Sequence, residues 1–259
     1  MYATERQELI ERLLADDGRV SVVELSRRFD VTTETVRRDL ALLEQSGALR
    51  RVHGGAVPPE RASTTEPSLT ERRLRHGSAK AAIGRRAVDA LGEGFHGSIF
   101  LDAGTTTAAV AGELAPRLAD AQFEVVTHAL PLAHLLASVP QASLTLIGGR
   151  VRGLTAAAVG ADTVRAIGSL RPDIAFLGAN GVSAGFGLST PDPDEAAVKT
   201  AIVHAARRVV VVADAEKLGR ELLVSFASLA DIDVLVTDTA PEAQLADALA
   251  DADVEVWIA

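Results

Sequence analysis

A glycine–threonine turn is the part of the sequence whose residue types point most directly to chemistry. It follows the apolar stretch Ser98–Leu101 and precedes a helical pattern, and it reads Asp102-Ala103-Gly104-Thr105-Thr106-Thr107. Gly104 permits close approach to the backbone, and the threonine N–H groups would point outward at a helix N-terminus, whose partial positive charge favours an anion. The pattern predicts a site for the phosphate of a small metabolite. The same residue types also form an ordinary capped helix start, so both interpretations are open.

Polar residues and glycines also follow most of the other predicted strands. In open α/β sheets, ligands bind outside the carboxyl ends of the strands, so these residues would converge on one mouth. With Asp102, Gly104, Thr105, Thr106 and Thr107, the candidates for effector binding are His128, Gly148, Gly149, Arg152, Asn180, Gly181, Glu195, Lys199 and Lys217. Each has a structural alternative, since glycine pairs form turns, a lone histidine is more often structural, and Glu195 with Lys199 is an i, i+4 pair. Together they suit a polyhydroxy anion.

An arginine-bearing helix near the N-terminus is the second group of residues that could do chemistry. A helix is predicted over residues 32–46, and its inner face carries Val36, Leu40 and Leu43. The polar residues of its first turns then face outward, where they can reach base edges and phosphates in a major groove. The candidates for DNA binding are Thr32, Thr33, Thr35, Arg37 and Arg38 on this helix, and Arg50, Arg51 and His53 on a following hairpin.

Charge alone does not establish DNA binding. Residues 1–60 hold nine basic and eleven acidic residues, so this half of the chain is not basic on average. Arg38 could pair with Glu34 on a solvated helix, and Asp39 is available to a neighbouring arginine. DNA binding is favoured because the four arginines of the helix and hairpin should share one surface.

The elements that would position these arginines are three helices and a hairpin, the pattern of a winged helix-turn-helix over residues 1–57. Capping-box pairs mark the first two helix starts, Thr4 with Gln7 and Ser21 with Glu24. The predicted end and turn signals are Asp16-Asp17-Gly18, Gly47 and Gly54-Gly55.

Short apolar strands alternate with helices from Ser98 onward, which is typical of a mostly parallel sheet covered by helices. The predicted strands are Ser98–Leu101, Glu124–Thr127, Leu144–Ile147, Ile174–Leu177, Val209–Ala213, Val234–Val236 and Val254–Ile258. The predicted helices between them are Thr106–Ala115, Pro131–Ser138, Ala161–Ile167, Pro193–Arg207 and Pro241–Ala250.

The sequence therefore predicts an α/β protein in three parts. A winged helix-turn-helix DNA-binding domain covers residues 1–57, and a linker rich in Pro, Ser and Thr covers residues 58–68. A larger α/β effector-binding and oligomerisation domain covers residues 69–259, and its first segment, Leu69–Leu91, is predicted as one basic helix.

Composition excludes several classes of protein. The 259 residues allow two domains, and 47% hydrophobic residues rule out global disorder. The net charge of −9 excludes an overall basic footprint, and the absence of Cys excludes disulfides, thiolate zinc sites and Cys nucleophiles. No signal peptide and no apolar run of membrane-spanning length is recognised. A cytoplasmic protein without membrane contact, metal or cofactor is expected.

Three segments of the N-terminal half resemble the DeoR family of bacterial transcriptional regulators. They are Arg6 with Ile10, the run Thr32-Thr33-Glu34-Thr35-Val36-Arg37-Arg38-Asp39-Leu40, and the run Arg51-Val52-His53-Gly54-Gly55-Ala56. The first two are similar to the family's helix-turn-helix signature and the third to its wing. The resemblance implies operator DNA as a partner.

The second half, over about residues 75–235, resembles the C-terminal sensor domain of the same family, which is related to ribose-5-phosphate isomerase and CoA-transferase-like folds. The matching segments are Asp102 to Thr106, Gly148-Gly149, Phe176 to Val182, Gly187 to Thr190, Glu195 with Lys199, and Ala213 to Lys217. The resemblance implies a Rossmann-like domain that binds a phosphorylated sugar and forms homo-oligomers. The family usually has Asn where His128 stands.

A regulator is favoured over an enzyme. Sugar-phosphate isomerisation needs a carboxylate base, and the isomerases that this fold resembles carry acids where this chain has Asn180-Gly181. Glu195 remains as a possible base, with Lys199 or Lys217 as an electrophile. A third interpretation is a DNA-binding protein whose α/β half only dimerises. The sequence is interpreted as a non-enzymatic DNA-binding regulator, a repressor of carbohydrate-metabolism genes that responds to a phosphorylated sugar.

Overall fold

The chain divides into two units, Met1–Ala62 and Ser63–Ala259, in a computed structural model. The residues that the structure describes are 3–17, 19–46, 48–52, 54–57, 63–118, 123–139 and 143–259. The predicted signals Gly18 and Gly47, the candidate DNA-binding residue His53, and residues 58–62 of the predicted linker lie outside these ranges.

The described part of the first unit contains three helices and three short strands. They are α1 (Ala3–Asp17), β1 (Val20–Ser21), α2 (Val22–Phe29), α3 (Thr33–Gln45), β2 (Arg50–Val52) and β3 (Gly55–Val57). The strands form an antiparallel sheet in the order β1-β3-β2. The three predicted helices and the hairpin are confirmed, whereas β1 was not predicted because two residues are too short to show alternation.

The helix starts of this unit differ in how they are capped. Thr32 precedes α3, and its hydroxyl accepts a hydrogen bond from the Thr35 N–H at 3.2 Å. Ser21 precedes α2, but its side chain makes no capping bond. The predicted capping box of Thr4 with Gln7 depends on the Thr4 side chain, which lies outside what the structure describes; α1 covers Ala3–Asp17. The capping-box pair Ser21 and Glu24 therefore predicted where α2 begins, although Ser21 makes no capping hydrogen bond.

The two glycines of the hairpin, Gly54 and Gly55, are each required for a different reason. Gly54 turns the chain with φ of +80°, a conformation that side-chain-bearing residues rarely adopt. A Cβ on Gly55 would lie 2.0 Å from the Val20 carbonyl oxygen, because β1 pairs closely with β3 at this point. The hairpin therefore requires glycine at both positions.

Seven parallel strands form the central sheet of the second unit. They are β4 (Gly97–Leu101), β5 (Phe123–Thr127), β6 (Ser143–Leu146), β9 (Ile174–Gly178), β12 (Val209–Val212), β14 (Val234–Thr237) and β15 (Glu255–Ile258). All seven were predicted, each with ends within one residue of those observed. The helices of this unit are α4 (Leu69–Leu74), α5 (Gly77–Ala87), α6 (Thr105–Leu118), α7 (Leu130–Ala137), α8 (Ala161–Gly168), α9 (Pro193–Ala205) and α10 (Ala243–Asp251).

The strand order β15-β14-β12-β9-β4-β5-β6 places a topological switch point between β4 and β9. From β4 the chain continues outward through β5 and β6, and it then returns to the other side of β4 at β9. In such sheets a crevice opens at the carboxyl ends of the strands on either side of the switch point. Asp102 follows β4 and Gly178 ends β9, so both lie at this crevice.

Both faces of the sheet are buried under helices. One core contains Ile83 of α5 and Leu114 of α6 together with Val210 of the sheet. The opposite core contains Val198 of α9 and Leu249 of α10. A sheet covered on both faces explains why its strands are nearly continuous apolar runs.

In the described part of the second unit, five further strands lie outside the central sheet, and these were not predicted. They are β7 (Arg150–Arg152), β8 (Ala157–Val159), β10 (Gly181–Ser183), β11 (Gly187–Thr190) and β13 (Val224–Ala227). The first two pair with each other, and the other three form an antiparallel sheet in the order β10-β11-β13. Each has only three or four residues, which is too few for a reliable alternation pattern.

The segment predicted as one helix from Leu69 to Leu91 is divided. α4 ends at Leu74, Arg75 is extended, His76 adopts φ of +51°, and α5 begins at Gly77. The break frees the last carbonyls of α4, and Lys80 of α5 donates hydrogen bonds to two carbonyl oxygens there. The single-helix prediction is therefore wrong, because a buried side chain caps α4 in place of helix continuation.

The described part of the predicted linker packs on the α/β unit. The Leu223 N–H donates a hydrogen bond to the Ser63 carbonyl oxygen at 3.1 Å. The side chain of Glu66 is 2% exposed, and its carboxylate lies 2.7 Å from Arg152 and 3.2 Å from Arg72. The α/β unit therefore begins at Ser63 rather than at Leu69.

Candidate functional site

The N-terminus of α6 opens onto the crevice at the switch point. Gly104 stands immediately before the helix with φ of +148° and has no side chain to accept bonds from the first-turn amides. The amides of a first helical turn have no intrahelical acceptor, so they are available to an anion. The Thr107 hydroxyl is buried and donates to the Gly104 carbonyl oxygen at 3.0 Å, which fixes the turn. Thr105 and Thr106 line the cleft beside it.

Asp102 lies at the floor of the cleft and is completely buried. Its carboxylate accepts hydrogen bonds from Lys199 Nζ and from the Gly178 N–H at 3.0 Å, and its Oδ1 lies 3.0 Å from His128 Nε2. Burial by itself would raise the pKa of Asp102, but the charge of Lys199 and the contact with His128 outweigh it and lower the pKa to about 2. Asp102 is therefore an ionised structural anchor with its acceptors in use.

His128 acts on the cleft through Asp102. Its Nδ1 lies 2.8 Å from the Ala158 carbonyl oxygen, which can only accept, so Nδ1 carries a proton. Its Nε2 accepts a hydrogen bond from the Ala103 N–H at 3.3 Å and lies 3.0 Å from Asp102 Oδ1, and the side chain is 2% exposed. With both ring nitrogens occupied by protein groups, His128 orients the carboxylate rather than offering a free donor to a ligand.

A cationic cluster that sequence reasoning missed lies at the α4–α5 break. Arg72, Arg75 and Lys80 line the cleft together with the predicted Lys199 and Lys217. Lys80 Nζ donates to the Arg72 and Arg75 carbonyl oxygens at 2.7 and 2.6 Å, and burial lowers its pKa despite the opposing charge of Asp214. The run of basic residues in Leu69–Leu91 was the available signal, but it was interpreted only as the positive charge of one continuous helix.

Most of the predicted effector-binding residues line this cleft. Those that do are Asp102, Gly104, Thr105, Thr106, Thr107, His128, Asn180, Glu195, Lys199 and Lys217. Four of the predicted residues are not part of its lining, namely Gly148, Gly149, Arg152 and Gly181. Asp214, which was not among the predicted residues, lines the cleft as well.

Two of the three predicted glycines outside the lining, Gly149 and Gly181, are required by close packing. A Cβ on Gly149 would lie 1.9 Å from the Thr163 hydroxyl oxygen, and the Gly148 carbonyl accepts a bond from that hydroxyl at 2.9 Å. A Cβ on Gly181 would lie 2.4 Å from the Arg220 carbonyl oxygen. Gly149 and Gly181 therefore allow close approach of backbone to protein rather than of backbone to ligand, whereas a Cβ on Gly148 would meet no atom within 4 Å.

Arg152 holds Glu195 in place behind the cleft wall. The Arg152 guanidinium lies 3.1 Å from Glu195, 3.1 Å from Asp192 and 2.7 Å from Glu66. The Thr155 hydroxyl donates to the same Glu195 oxygen. This oxygen of Glu195 is thus an acceptor for two protein donors.

The candidate DNA-binding surface depends on how α3 is held. Arg6 of α1 and Asp39 of α3 form a buried two-point pair, with Arg6 Nε 2.5 Å and Nη2 3.1 Å from the two carboxylate oxygens. The hydrogen bond to Asp39 raises the pKa of Arg6. Asp39 therefore faces inward and fixes α3 on α1, which leaves the opposite face of α3 exposed.

Arg37 and Arg38 both lie on the exposed face of α3. Arg37 lies 3.6 Å from Glu34, and both side chains are largely exposed. Within the ranges that the structure covers, Arg38 has no ion pair, so the suggested pairing with Glu34 belongs to Arg37. In the wing, Arg51 is bound to Glu44 of α3 through Nε at 2.7 Å and through its N–H at 2.9 Å, which lowers the pKa of Glu44. Arg51 thus joins the wing to α3, and Arg50 is exposed on the same strand.

Two kinds of feature are absent from the described residues. Every helix in the described part of the chain is too short or too polar to span a lipid bilayer. No group of three or more His, Cys, Asp or Glu residues among them is arranged to hold a metal ion.

Two family models match the chain. Residues 6–62 match the model described as the DeoR-like helix-turn-helix domain. Residues 75–239 match the model described as the DeoR C terminal sensor domain. The two matches cover the winged unit and most of the α/β unit.

Curated relatives are similar over nearly the whole chain. The HTH-type transcriptional regulator GlpR of Haloferax volcanii is 39% identical over 92% of this chain and 91% of its own length. The glycerol-3-phosphate regulon repressor of Escherichia coli is 31% identical over 97% of both. Among solved structures, ribose 5-phosphate isomerase A from Methanocaldococcus jannaschii is 20% identical over 55% of this chain, with a TM-score of 0.40. The match spans 54% of that isomerase.

Proposed function

The chain belongs to the DeoR family of transcriptional regulators, and we propose that it is a repressor of carbohydrate-metabolism genes whose operator affinity changes when a phosphorylated metabolite binds in the cleft. Family membership supports the regulatory role, and the two sites described above supply the two binding activities. The observation that carries the ligand half of the proposal is the uncapped N-terminus of α6 opening onto a cleft with five basic side chains.

DNA recognition is assigned to the exposed face of α3 and to the wing. Arg37 and Arg38 project from the first half of α3, where a recognition helix meets base edges in the major groove. The proposed DNA-binding residues are Thr32, Thr33, Thr35, Arg37, Arg38, Arg50, Arg51 and His53. Thr32 also caps α3, so its contribution combines helix geometry with any phosphate contact.

The proposed ligand is a phosphorylated sugar or a related phosphorylated metabolite. Its phosphate would lie at the first turn of α6, within reach of the cationic side chains that line the cleft. Glycerol 3-phosphate, which the name of the E. coli relative contains, belongs on the panel of compounds to be tested.

An isomerase function is disfavoured by the polar groups at the cleft. After β9 the chain has Asn180 and Gly181, and neither can abstract a proton. Glu195 would have to act as the base, but one of its oxygens already accepts bonds from Thr155 and Arg152. Sustained conversion of ribose 5-phosphate to its ketose by the purified protein would overturn this assignment.

We also propose that the protein forms a homo-oligomer and acts in the cytoplasm. One winged helix-turn-helix makes few phosphate contacts, and affinity from phosphate grows with their number. Two copies on a repeated or palindromic operator would supply enough contacts, with the α/β units holding the copies together.

Gel-shift titration with the DNA upstream of the protein's own gene tests the proposal. We expect a retarded complex that a scrambled fragment of equal length does not form. Addition of one phosphate compound from the panel should change the operator affinity by at least fivefold, within the usual range of allosteric coupling. Failure to retard any promoter fragment would overturn the DNA half, and retardation that no panel compound alters would overturn the ligand half.

A further inference from the structure

Glu34 is an acidic residue on the surface of α3 that the proposed function assigns to DNA. α3 carries three acidic residues, and contacts within the protein explain two of them. Asp39 is buried and forms the two-point pair with Arg6. Glu44 accepts two hydrogen bonds from Arg51 of the wing. The third, Glu34, lies in the first turn of the helix with 73% of its side chain exposed, and no comparable role inside the protein accounts for it.

The structural roles open to Glu34 are weak in this geometry. The cap of α3 is supplied by Thr32, whose hydroxyl accepts a hydrogen bond from the Thr35 N–H. The Glu34 carboxylate lies 3.6 Å from the Arg37 guanidinium, beyond hydrogen-bond distance, and an exposed pair of this kind contributes little to stability. A carboxylate in a first turn also interacts favourably with the helix dipole, but salt screens that effect. The Glu34 oxygens therefore remain available as hydrogen-bond acceptors.

An acid at this position opposes binding to the DNA backbone. Glu34 lies three and four residues before Arg37 and Arg38, and all three side chains are exposed on one face of α3, so they would reach the same part of a groove. Each phosphate of the backbone is negative and repels a carboxylate. Base edges differ from phosphates, because some of them present hydrogen-bond donors that a carboxylate can contact. A carboxylate on this face is therefore suited to bases and not to the backbone.

The donors and acceptors of the major groove select one base for a carboxylate. An ionised carboxylate accepts hydrogen bonds and donates none. Guanine presents only acceptors there, and thymine presents an acceptor and a methyl group, so both disfavour it. Adenine presents an amino donor beside the N7 acceptor, which repels the second carboxylate oxygen. Cytosine presents its N4 amino donor without a neighbouring acceptor on the same base, so it is the base that an ionised glutamate fits.

We propose that Glu34 is a base-reading residue of α3 that selects cytosine, with its carboxylate accepting a hydrogen bond from the cytosine N4 amino group in the major groove. Repulsion between the carboxylate and the acceptors of other bases adds to the selection, since specificity is a difference between affinities. Arg37, one helical turn away, carries the complementary chemistry, because a guanidinium donates to the guanine edge. The inference rests on the proposed function, since it refines what α3 reads in the groove.

Selection from a pool of random DNA duplexes by the full chain, followed by sequencing, tests the inference. The wild type, Glu34→Gln and Glu34→Ala are selected in parallel. We expect the wild-type sites to share a C·G pair at one position where Glu34→Ala shows no preference. Glu34→Gln should change the preference at that position to A·T, because a glutamine amide can accept from adenine N6 and donate to N7.

Fluorescence anisotropy on the selected duplexes measures the size of the effect. Replacing the C·G pair by any other pair should weaken wild-type binding about tenfold or more, and Glu34→Ala binding by less than about threefold. On a duplex of scrambled sequence, Glu34→Ala should bind at least as tightly as the wild type, because a charge that repels phosphate has been removed. The matched control is Glu8→Gln, an exposed glutamate of α1 that lies 3.7 Å from Arg12, and it should select the wild-type sites.

The outcomes separate this inference from the proposed function. If the wild type enriches no sequence, the assignment of α3 to the major groove fails and the inference fails with it. If the wild type enriches sites and both Glu34 variants select the same sequences, the inference fails and the DNA half of the proposed function stands. The same conclusion follows if the position that the variants alter does not prefer C·G in the wild-type sites. Loss of the C·G preference in Glu34→Ala, with the other positions retained, supports the inference.

Discussion

A substitution at Thr105 tests whether the N-terminus of α6 binds an anion. A carboxylate at this first helical position is favoured by the helix dipole, so Thr105→Asp should fold. The same carboxylate would repel a phosphate from the turn. We expect gel shifts to show normal operator binding that no longer responds to any phosphate compound. Thr105→Ser keeps the hydroxyl and should respond as the wild type does, and a responsive Thr105→Asp would contradict the site.

Asp102 should make the stability of the α/β unit depend on pH in the acid range. Its folded-state pKa of about 2 lies below the ordinary value of 3.8, so its ionised form stabilises the fold above about pH 4. This contribution is lost as the pH falls from about 4 toward 2 and amounts to about 2 kcal/mol. Denaturant titrations at several pH values measure it.

The matched variant for this pH dependence is Asp102→Asn. It removes the titrating group, so the difference in unfolding free energy between wild type and variant should shrink as the pH falls from 4 to 2. A difference that is constant over this range would show that the Asp102 carboxylate is not stabilised by Lys199 and His128.

Arg38 of α3 should contribute little to the stability of the DNA-free protein, because no described residue forms an ion pair with it. Arg38→Ala should leave the stability unchanged and cost about 1–3 kcal/mol of operator binding if the side chain reads a base. Arg37→Ala should cost a similar amount, since its exposed pair with Glu34 is easily exchanged for DNA. Fluorescence anisotropy at two salt concentrations measures both, and a salt slope reduced by about one identifies a phosphate contact.

The control for the arginine variants is Arg165→Ala, an exposed arginine on α8 that pairs with Asp162 within its own helix. Its operator affinity should equal that of the wild type. If Arg37→Ala and Arg38→Ala also bind like the wild type, α3 is not the recognition helix.

The sequence predicted which residues reach the cleft better than it predicted what they do there. Glycines, threonines and charged residues at strand ends identify the edge of the sheet, because that edge is determined by strand direction alone. The hydrogen-bond partners of these residues could not be predicted. Lys199 lies 97 positions from Asp102 in the sequence. Asp102 has hydrogen-bond partners and the Asp214 carboxylate has none among the described residues, a difference that depends on distances which no local sequence pattern contains.

At the scale of elements, α1 and α3 are joined by the buried pair of Arg6 and Asp39. Removing one partner leaves an uncompensated buried charge, so Arg6→Ala should destabilise the winged unit by about 3 kcal/mol or more. Circular dichroism would report this loss, whereas the fluorescence of Trp257, the single Trp and part of β15, reports on the α/β unit and should be unchanged. Operator affinity should fall as α3 loses its support.

Arg12→Ala is the control for the joint between α1 and α3. Arg12 lies on the same helix as Arg6, but its pair with Glu8 is largely exposed and should contribute about 0.5 kcal/mol or less. Equal effects of Arg6→Ala and Arg12→Ala would contradict the assignment of Arg6 as the residue that anchors α3.

Helices and strands with a clear hydrophobic pattern were predictable from the sequence, and elements that depend on tertiary contacts were not. The seven buried strands of the central sheet stand out as apolar runs because both faces are covered. The break at Arg75–His76 has no Gly or Pro signal before it, since it is stabilised by Lys80 binding the carbonyls of α4. β1 likewise exists because Gly55 lets it approach β3, a contact between distant segments.

Regulation requires that the cleft of the α/β unit and α3 of the winged unit be coupled. Coupling between two ligands is reciprocal, so if a phosphate compound weakens operator affinity by some factor, the operator must weaken affinity for that compound by the same factor. A factor of about 5–150, or about 1–3 kcal/mol, is expected for an allosteric pair. Fluorescence anisotropy with and without the tightest-binding panel compound measures how that compound changes operator affinity, which we call the operator arm. Calorimetry of free and of operator-bound protein measures how the operator changes affinity for the compound.

Equal factors in the two arms would establish one coupled equilibrium, and Thr105→Asp should reduce the operator arm to no effect. A compound that binds tightly and leaves operator affinity unchanged must bind both DNA-binding states equally, since equal affinity for two states shifts nothing. That result would make the α/β unit a ligand-binding or oligomerisation module without control over DNA, the third interpretation that the sequence leaves open. The reciprocal measurement thus separates a regulator from a DNA-binding protein that merely carries a cleft.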